Sequence, residues 1–220
     1  MIKQLIIGLA CEGPTDYRFL TSIIKRTYEN VVLEYTTNVE ILDIQIIKIQ
    51  KKSFIEYTYD AVIEGTNNFG MLVLCLHADA DSATDESTFQ NKIIPAIKNI
   101  QNKKENICKI ITPIVPVRMT EAWMLADGEC FKEEIGSTNN TMSDLGITRR
   151  PESMADPKST ISNAISIAFL DKPARRKKPE ISELYLPIGQ KCNLDKLEKL
   201  DSYVKFKKAV RVSLEKLNYI

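Results

Sequence analysis

"MLVLCLHADADS", residues 71–82, is the stretch on which the reading of this chain turns. Leu72, Val73, Leu74, Cys75 and Leu76 form a short, continuous apolar run, the pattern of a strand buried on both faces of a sheet. Asp79 and Asp81 follow at once, one residue apart. Such a pair is either a polar exit from the strand or a pair of hard oxygen ligands for a cation. The choice depends on what else reaches the same place.

Upstream, Leu5-Ile6-Ile7-Gly8-Leu9 is a second such run. Gly13-Pro14 turns the chain, and Thr15 is suited to cap a helix that lines up Phe19, Leu20, Ile23, Ile24 and Thr27. An Ile-rich strand is expected over Val39–Ile49, then a polar helix over Ser53–Glu64. Downstream, Phe89, Ile93, Ile97 and Ile100 recur at helical spacing, with Pro95 kinking or restarting that helix. Ile110–Val117 reads as a strand whose Pro113 and Pro116 suit an edge or an irregular end. Thr120 then opens the helix "TEAWMLAD". Alternating strands and helices predict an α/β fold, a Rossmann-like, mainly parallel sheet flanked by helices.

The second part of the chain reads differently. Gly136–Glu152 is polar and turn-rich; Asp156-Pro157 starts a helix with Ile161, Ala164, Ile165 and Ala168 on its apolar face. A last helix from Asp201 buries Tyr203, Phe206, Val210, Leu214 and Leu217. The expected organisation is a core over residues 1–137 and a helical, basic C-terminal subdomain over 138–220 packed on it. Charge follows the same division. Residues 1–139 carry 14 Lys and Arg against 19 Asp and Glu, whereas residues 140–220 carry 16 against 10. The densest basic run holds Lys172, Arg175, Arg176, Lys177 and Lys178. A basic segment beside an acidic one suits a polyanion held next to a cation site; a solvated loop is the plain alternative.

Composition narrows the class. No apolar run approaches the roughly 20 residues of a membrane helix. The first residues, MIKQLIIGLACEG, read as a strand rather than a signal peptide. Cys11, Cys75, Cys108, Cys130 and Cys192 are scattered, as reduced core thiols of a cytoplasmic protein would be. With one histidine, His77, and no clustered cysteines, a zinc site is not expected.

Ligands of a parallel α/β sheet gather at the carboxyl ends of its strands. Glu12 follows the first strand, Asp79 and Asp81 the third, and Glu121 the strand ending near Val117. Carboxylates converging there would repel one another without a cation, and Mg2+ or Mn2+ suits such oxygens. Each feature alone has a bland reading, Glu12 and Glu121 as first-turn charges favoured by a helix dipole. Lys158, in the first turn after Asp156, could bring a positive charge to a phosphate or simply face solvent.

"ACEGPTDYRFL" followed by "LVLCLHADADS" resembles the TOPRIM domain of topoisomerases, primases and OLD-type nucleases, whose signature is one glutamate after the first strand and a D-x-D after a later one. "VRMTEAWMLAD", "DPKSTI" and "LDKLEKLDSYVKFKKAV" look like a bacterial TOPRIM-like family of unknown function, related to the RloB-type proteins of defence islands. The resemblance runs from about residue 5 to about residue 215. It implies Glu12 as the TOPRIM glutamate, Asp79 and Asp81 as the metal-binding pair, Glu121 as a further acid and metal ligand, and Asp127 as the last acid of its segment. Ser82-Ala83 stand after the D-x-D where a glycine is the family's pattern.

The implied function is Mg2+- or Mn2+-dependent hydrolysis of a nucleic acid, DNA or RNA. Glu12, Asp79, Asp81, Glu121 and Lys158 would be catalytic, and Arg175, Arg176, Lys177 and Lys178 would hold the backbone. Water is the expected nucleophile, since none of the tyrosines has a catalytic context. The alternative is a non-catalytic or partner-gated module working with a separate ATPase, because the chain has no G-x-x-x-x-G-K-[ST] loop of its own. A metal-binding D-x-D of a nucleotide-sugar glycosyltransferase, or the D-x-D-x-T of a haloacid-dehalogenase-type phosphatase, ranks lower. The first leaves Glu12 and the basic run unexplained, and the second finds Ala83 at its fifth position.

Overall fold

The computed structural model describes residues 2–35, 38–50, 52–170, 172–173 and 175–220. Its strands are β1 (Lys3–Leu5), β2 (Ile7–Ala10), β3 (Val39–Ile41), β4 (Gln45–Ile46), β5 (Val73–His77) and β6 (Ile111–Ile114). β1 pairs with β3, and a second sheet runs in the order β4-β2-β5-β6. Every pairing is parallel. β1 and β2 are separated by Ile6 alone, and the Leu42 N–H donates to the Leu5 carbonyl at 3.1 Å, so the two sheets continue into one another. Counted by chain segment, the order is second, first, third, fourth.

The expected Val39–Ile49 strand is therefore two short pieces, β3 and β4. Between them Asp43 turns outward to Lys25, 2.6 Å away. β6 lies at the edge, where the missing N–H of Pro113 is tolerated.

Side chains alternate across the sheet. Ile7, Leu9, Val73 and Cys75 join one apolar cluster, with Phe19, Leu20, Ile23 and Tyr28 of α1 (Asp16–Leu33). Ala10, Leu74 and Leu76 face the other side, against Tyr57, Ala61 and Val62 of α2 (Phe54–Phe69). The connection from β5 to β6 runs through α3 (Glu86–Thr88), one π-helical turn over Phe89–Ile93, and α4 (Ile94–Gln101). Pro95 stands in the first turn of α4, so the expected restart is a π-bulge followed by a new helix.

The termini of these helices follow local chemistry. Ser53 and Glu56 form a reciprocal capping box that starts α2. Asp156 accepts from the Ser159 N–H at 2.8 Å and starts α7 (Pro157–Ala168) with Pro157 in the first turn. Thr15 precedes α1 but makes no side-chain cap.

Beyond β6 come α5 (Thr120–Met124), α6 (Gly128–Glu134), a 3-10 turn over Pro151–Ser153, α7, α8 (Ile181–Lys191), α9 (Leu194–Leu197) and α10 (Asp201–Lys216). Their apolar faces enter the cluster that holds α1, so one core runs through both parts of the chain. All five cysteines are free and buried. Among the described residues no helix is long and apolar enough to cross a membrane.

α8 crosses α1 at Gly189, where an added Cβ would lie 2.6 Å from the Phe19 carbonyl oxygen and 3.0 Å from its Cα. Backbone cannot retreat as a side-chain tip can. Gly189→Ala is therefore expected to cost about 1–3 kcal/mol, read as a lower midpoint in urea at an unchanged slope. An unaltered midpoint would show that α8 is free to slide on α1.

Candidate functional site

β2 and β5 lie side by side in register, Ile7 opposite Val73 and Ala10 opposite Leu76, so their carboxyl ends stop at the same level. Their exit loops carry Glu12 on one side and Asp79 and Asp81 on the other. This is the place where the strand order reverses, the crevice in which open α/β sheets take ligands.

The β2 exit loop is fixed by two tyrosines. The Tyr17 hydroxyl accepts from the Cys11 N–H at 3.2 Å and donates to the Ile47 carbonyl at 2.9 Å. Tyr57 donates to the Cys11 carbonyl at 2.9 Å. The β5 exit loop is laced to the segment after β6. The N–H groups of Ala80 and Asp81 donate to the carbonyls of Pro116 and Arg118 at 3.1 and 2.9 Å, and the Arg118 N–H donates back to Ser82 at 3.1 Å. Asp81 and Arg118 both adopt left-handed backbone conformations, φ 52° and 67°. Such strain outside glycine gathers at functional sites. The Arg118 Nε is also buried without a hydrogen-bond partner.

Asp79 is held in place. Its Oδ1 accepts from the Thr120 N–H at 2.9 Å and lies 3.2 Å from His77 Nε2. The Thr120 hydroxyl lies 3.1 Å from the same imidazole nitrogen. His77 is fully buried, and its Nδ1 has no hydrogen bond; the nearest acid on that side is Asp16, at 3.9 Å. Burial alone would push the imidazole down, but the hydrogen bond and charge of Asp79, with Asp16 and Glu12 behind it, bring it above its ordinary value.

The Asp81 carboxylate makes no hydrogen bond or ion pair with the described residues. Partial burial, then the charge of Asp79 and of Glu12, raise its pKa, with Lys92 pulling the other way. Glu12 meets Lys92 at 3.1 Å. Asp16, 7% exposed, is raised first by burial and then by Asp79 and Glu121, against His77. Asp16 is the member that sequence reasoning passed over. In a first turn an aspartate reads as a dipole partner, and only the fold shows it buried against His77.

Glu121 and Lys158 come together, and the Glu121 charge reaches Asp16. Glu121 is buried, accepts from the Tyr185 hydroxyl at 2.5 Å, and has Lys158 Nζ at 3.6 Å. Tyr185, on α8, is a second residue the sequence did not single out. Asp127 caps α6 and also accepts from the Asn193 N–H at 2.8 Å, which is a structural task.

The basic run is partly used within the chain. Lys172 Nζ donates to the Gly136 carbonyl at 2.6 Å at the end of α6, and Arg176 lies over Gly136. Lys177 meets Glu183 at 2.8 Å, and Lys178 donates to Ser166 at 2.7 Å. Arg175 is exposed. Ser166 and Lys158 share α7, so Lys178 joins it about 12 Å along the helix axis from Lys158. Ala174, within the run, lies outside the described residues.

Among the described residues no three His, Cys, Asp or Glu side chains form a ready-made metal-binding group. The donors fit a hard divalent cation in a different way. Magnesium is commonly held by one or two carboxylates, its other positions being filled by water and substrate phosphate. Asp79 and Asp81 supply two such carboxylates, one braced by Thr120 and the other unpaired, in a site where negative charge is in excess.

That excess has a measurable sign. A carboxylate whose pKa is raised on folding adds stability below its unfolded value, 3.8 for Asp81, and loses it as the pH rises through the folded value. Asparagine also accepts a left-handed backbone. Asp81→Asn should thus be more stable than the wild type at pH 7 without added metal, the gap closing as the pH falls towards 4. Equal or lower stability of the variant at pH 7 in urea unfolding would contradict this charge balance.

Compared with protein-family models, with curated proteins and with solved structures, the chain matches none.

Proposed function

We propose that this chain is a metal-dependent phosphodiester hydrolase of the TOPRIM type acting on nucleic acid. The observation that carries the reading is the convergence of Glu12 with Asp79 and Asp81 on the exit loops of the two strands that flank the order reversal. Asp79 and Asp81 are the residues that would hold Mg2+ or Mn2+. When bound there, the ion supplies positive charge that polarises a phosphoryl oxygen and stabilises the charge built up during attack.

The chain's own residues do the rest. Thr120 and His77 fix one oxygen of Asp79, leaving the other for the site. Glu12, once Lys92 turns to the phosphate, accepts the proton of the attacking water. Lys158 and the N–H groups at the start of α7 add positive charge beside Glu121. Tyr185 keeps Glu121 oriented towards Lys158. Water is the nucleophile in this scheme, so the reaction is hydrolysis.

One observation favours a second reading, a binding module that cuts nothing by itself: Lys92 already neutralises Glu12. In that case a partner, such as a separate ATPase, would have to move Lys92 aside.

The two are separated by incubating wild type and Asp79→Ala/Asp81→Ala with plasmid DNA, single-stranded DNA and total tRNA in magnesium, manganese or EDTA. The hydrolase reading expects cleavage in magnesium or manganese, none in EDTA, and loss by orders of magnitude in the double variant. It also expects magnesium to raise the wild-type melting temperature and not that of the variant. No cleavage together with no magnesium-induced shift would overturn it in favour of the binding module.

A further inference from the structure

We infer that the cleft between the β2 exit loop and the start of α2 receives one nucleotide unit of a single-stranded nucleic acid, its base against Phe54 and its phosphate directed to Lys92, beside Glu12. The inference rests on the phosphodiesterase reading above and names the substrate form that reading leaves open.

The cleft has a volume of about 730 Å³ and is lined by Glu12, Tyr17, Arg18, Lys48, Phe54 and Tyr57 among others. That size falls within the roughly 300–1,000 Å³ of small-molecule sites. Its chemistry is of two kinds. Phe54 is half-buried, and its ring centroid lies 6.4 Å from that of Tyr57. The hydroxyls of Tyr17 and Tyr57 are already bonded to backbone, so what these residues add to the wall is aromatic carbon. The charged side chains are mostly cationic. Lys48 is exposed and has no partner among the described residues, Arg18 donates to the Ser182 carbonyl at 3.1 Å, and Lys52 is held by Asp60 at 2.6 Å. Aromatic surface for stacking beside cations for a backbone is how single strands are bound without sequence preference.

Lys92 connects the cleft to the carboxylates. Its Nζ lies 3.1 Å from Glu12 and 5.8 Å from the Phe54 ring centroid. A phosphate joined to a base on Phe54 would meet Lys92 and Glu12 next, on the way to Asp81. A base within a duplex is stacked on both faces and cannot enter such a cleft without being extruded. In a single strand no pairing has to be broken, so the cost is smaller.

The test uses the whole chain and fluorescein-labelled pentadeoxyadenylate and pentariboadenylate, with binding read by anisotropy in EDTA and in calcium. The wild type should bind at least one of them more tightly than it binds a blunt DNA hairpin. Phe54→Ala should weaken that binding by roughly tenfold. Lys48→Glu, on an exposed side chain, should weaken it and reduce its dependence on salt. Circular dichroism melts confirm that both variants are folded; if Phe54→Ala unfolds, Phe54→Leu takes its place. Competition by free AMP equal to that by the unlabelled pentamer would overturn the single-strand assignment and give the cleft to a free nucleotide.

No binding in either condition, or unchanged binding in folded Phe54 and Lys48 variants, overturns the inference. Its failure is separable from that of the hydrolase reading. Asp81→Asn should lose cleavage while still binding the pentamer in EDTA, whereas the cleft variants should raise KM for single strands while the metal dependence stays as in the wild type.

Discussion

The in-register parallel pairing of Ile7–Ala10 with Val73–Leu76 is the constraint on which the rest of this molecule depends. Both strands are wholly buried, so a slip of one residue would turn Ile7 and Leu9, or Val73 and Cys75, out of one core and into the other. The two apolar layers hold the pairing in register, and the register sets the level at which the chain leaves the sheet. Glu12 and the two aspartates meet there because the hydrophobic packing leaves their loops nowhere else to emerge. A polar site is thereby positioned by groups that take no part in its chemistry.

Around that meeting point the charges are distributed unevenly. Thr120 and His77 brace Asp79 from behind; Tyr185 and Lys158 satisfy Glu121; Asp81 is left with repulsion from Asp79 and Glu12, offset in part by Lys92 and His77. The raised pKa values of Asp16 and Asp81 come first from burial and then from the same imbalance. A braced carboxylate beside an unrelieved one concentrates negative charge at this edge of the sheet, at a cost to the stability of the fold. The left-handed backbone at Asp81 and Arg118 adds to that cost.

Much of this was legible in the sequence, and the limits have physical reasons. The apolar runs at 5–9 and 72–76 announce strands because both faces are buried, and the Asp156-Pro157 start announces α7 because its capping is local. Glu12, Asp79 and Asp81 were legible because a strand end fixes where the next few residues lie. Tyr185 was not, since its contact with Glu121 joins residues 64 apart on different helices. α8 hides behind Pro187 and Gly189, residues that argue against a helix until α1 is there for Gly189 to pack on. Partners of the basic run, such as Gly136 for Lys172, are likewise set by tertiary packing, which a count of charges does not contain.

Trp123, the chain's only tryptophan, gives the region its own optical reporter. It is fully buried two residues after Glu121, edge-on to Tyr203 at 5.3 Å and beside Phe206 at 6.0 Å. Its indole N–H donates to Ser202 at 2.7 Å, and the Ser202 hydroxyl is bonded in turn to Glu152. Emission from such an environment is short in wavelength and sensitive to nearby rings. Any event that separates α5 from α10 will therefore shift the fluorescence of one known residue, and the state of the crevice wall can be followed in solution without attaching a label.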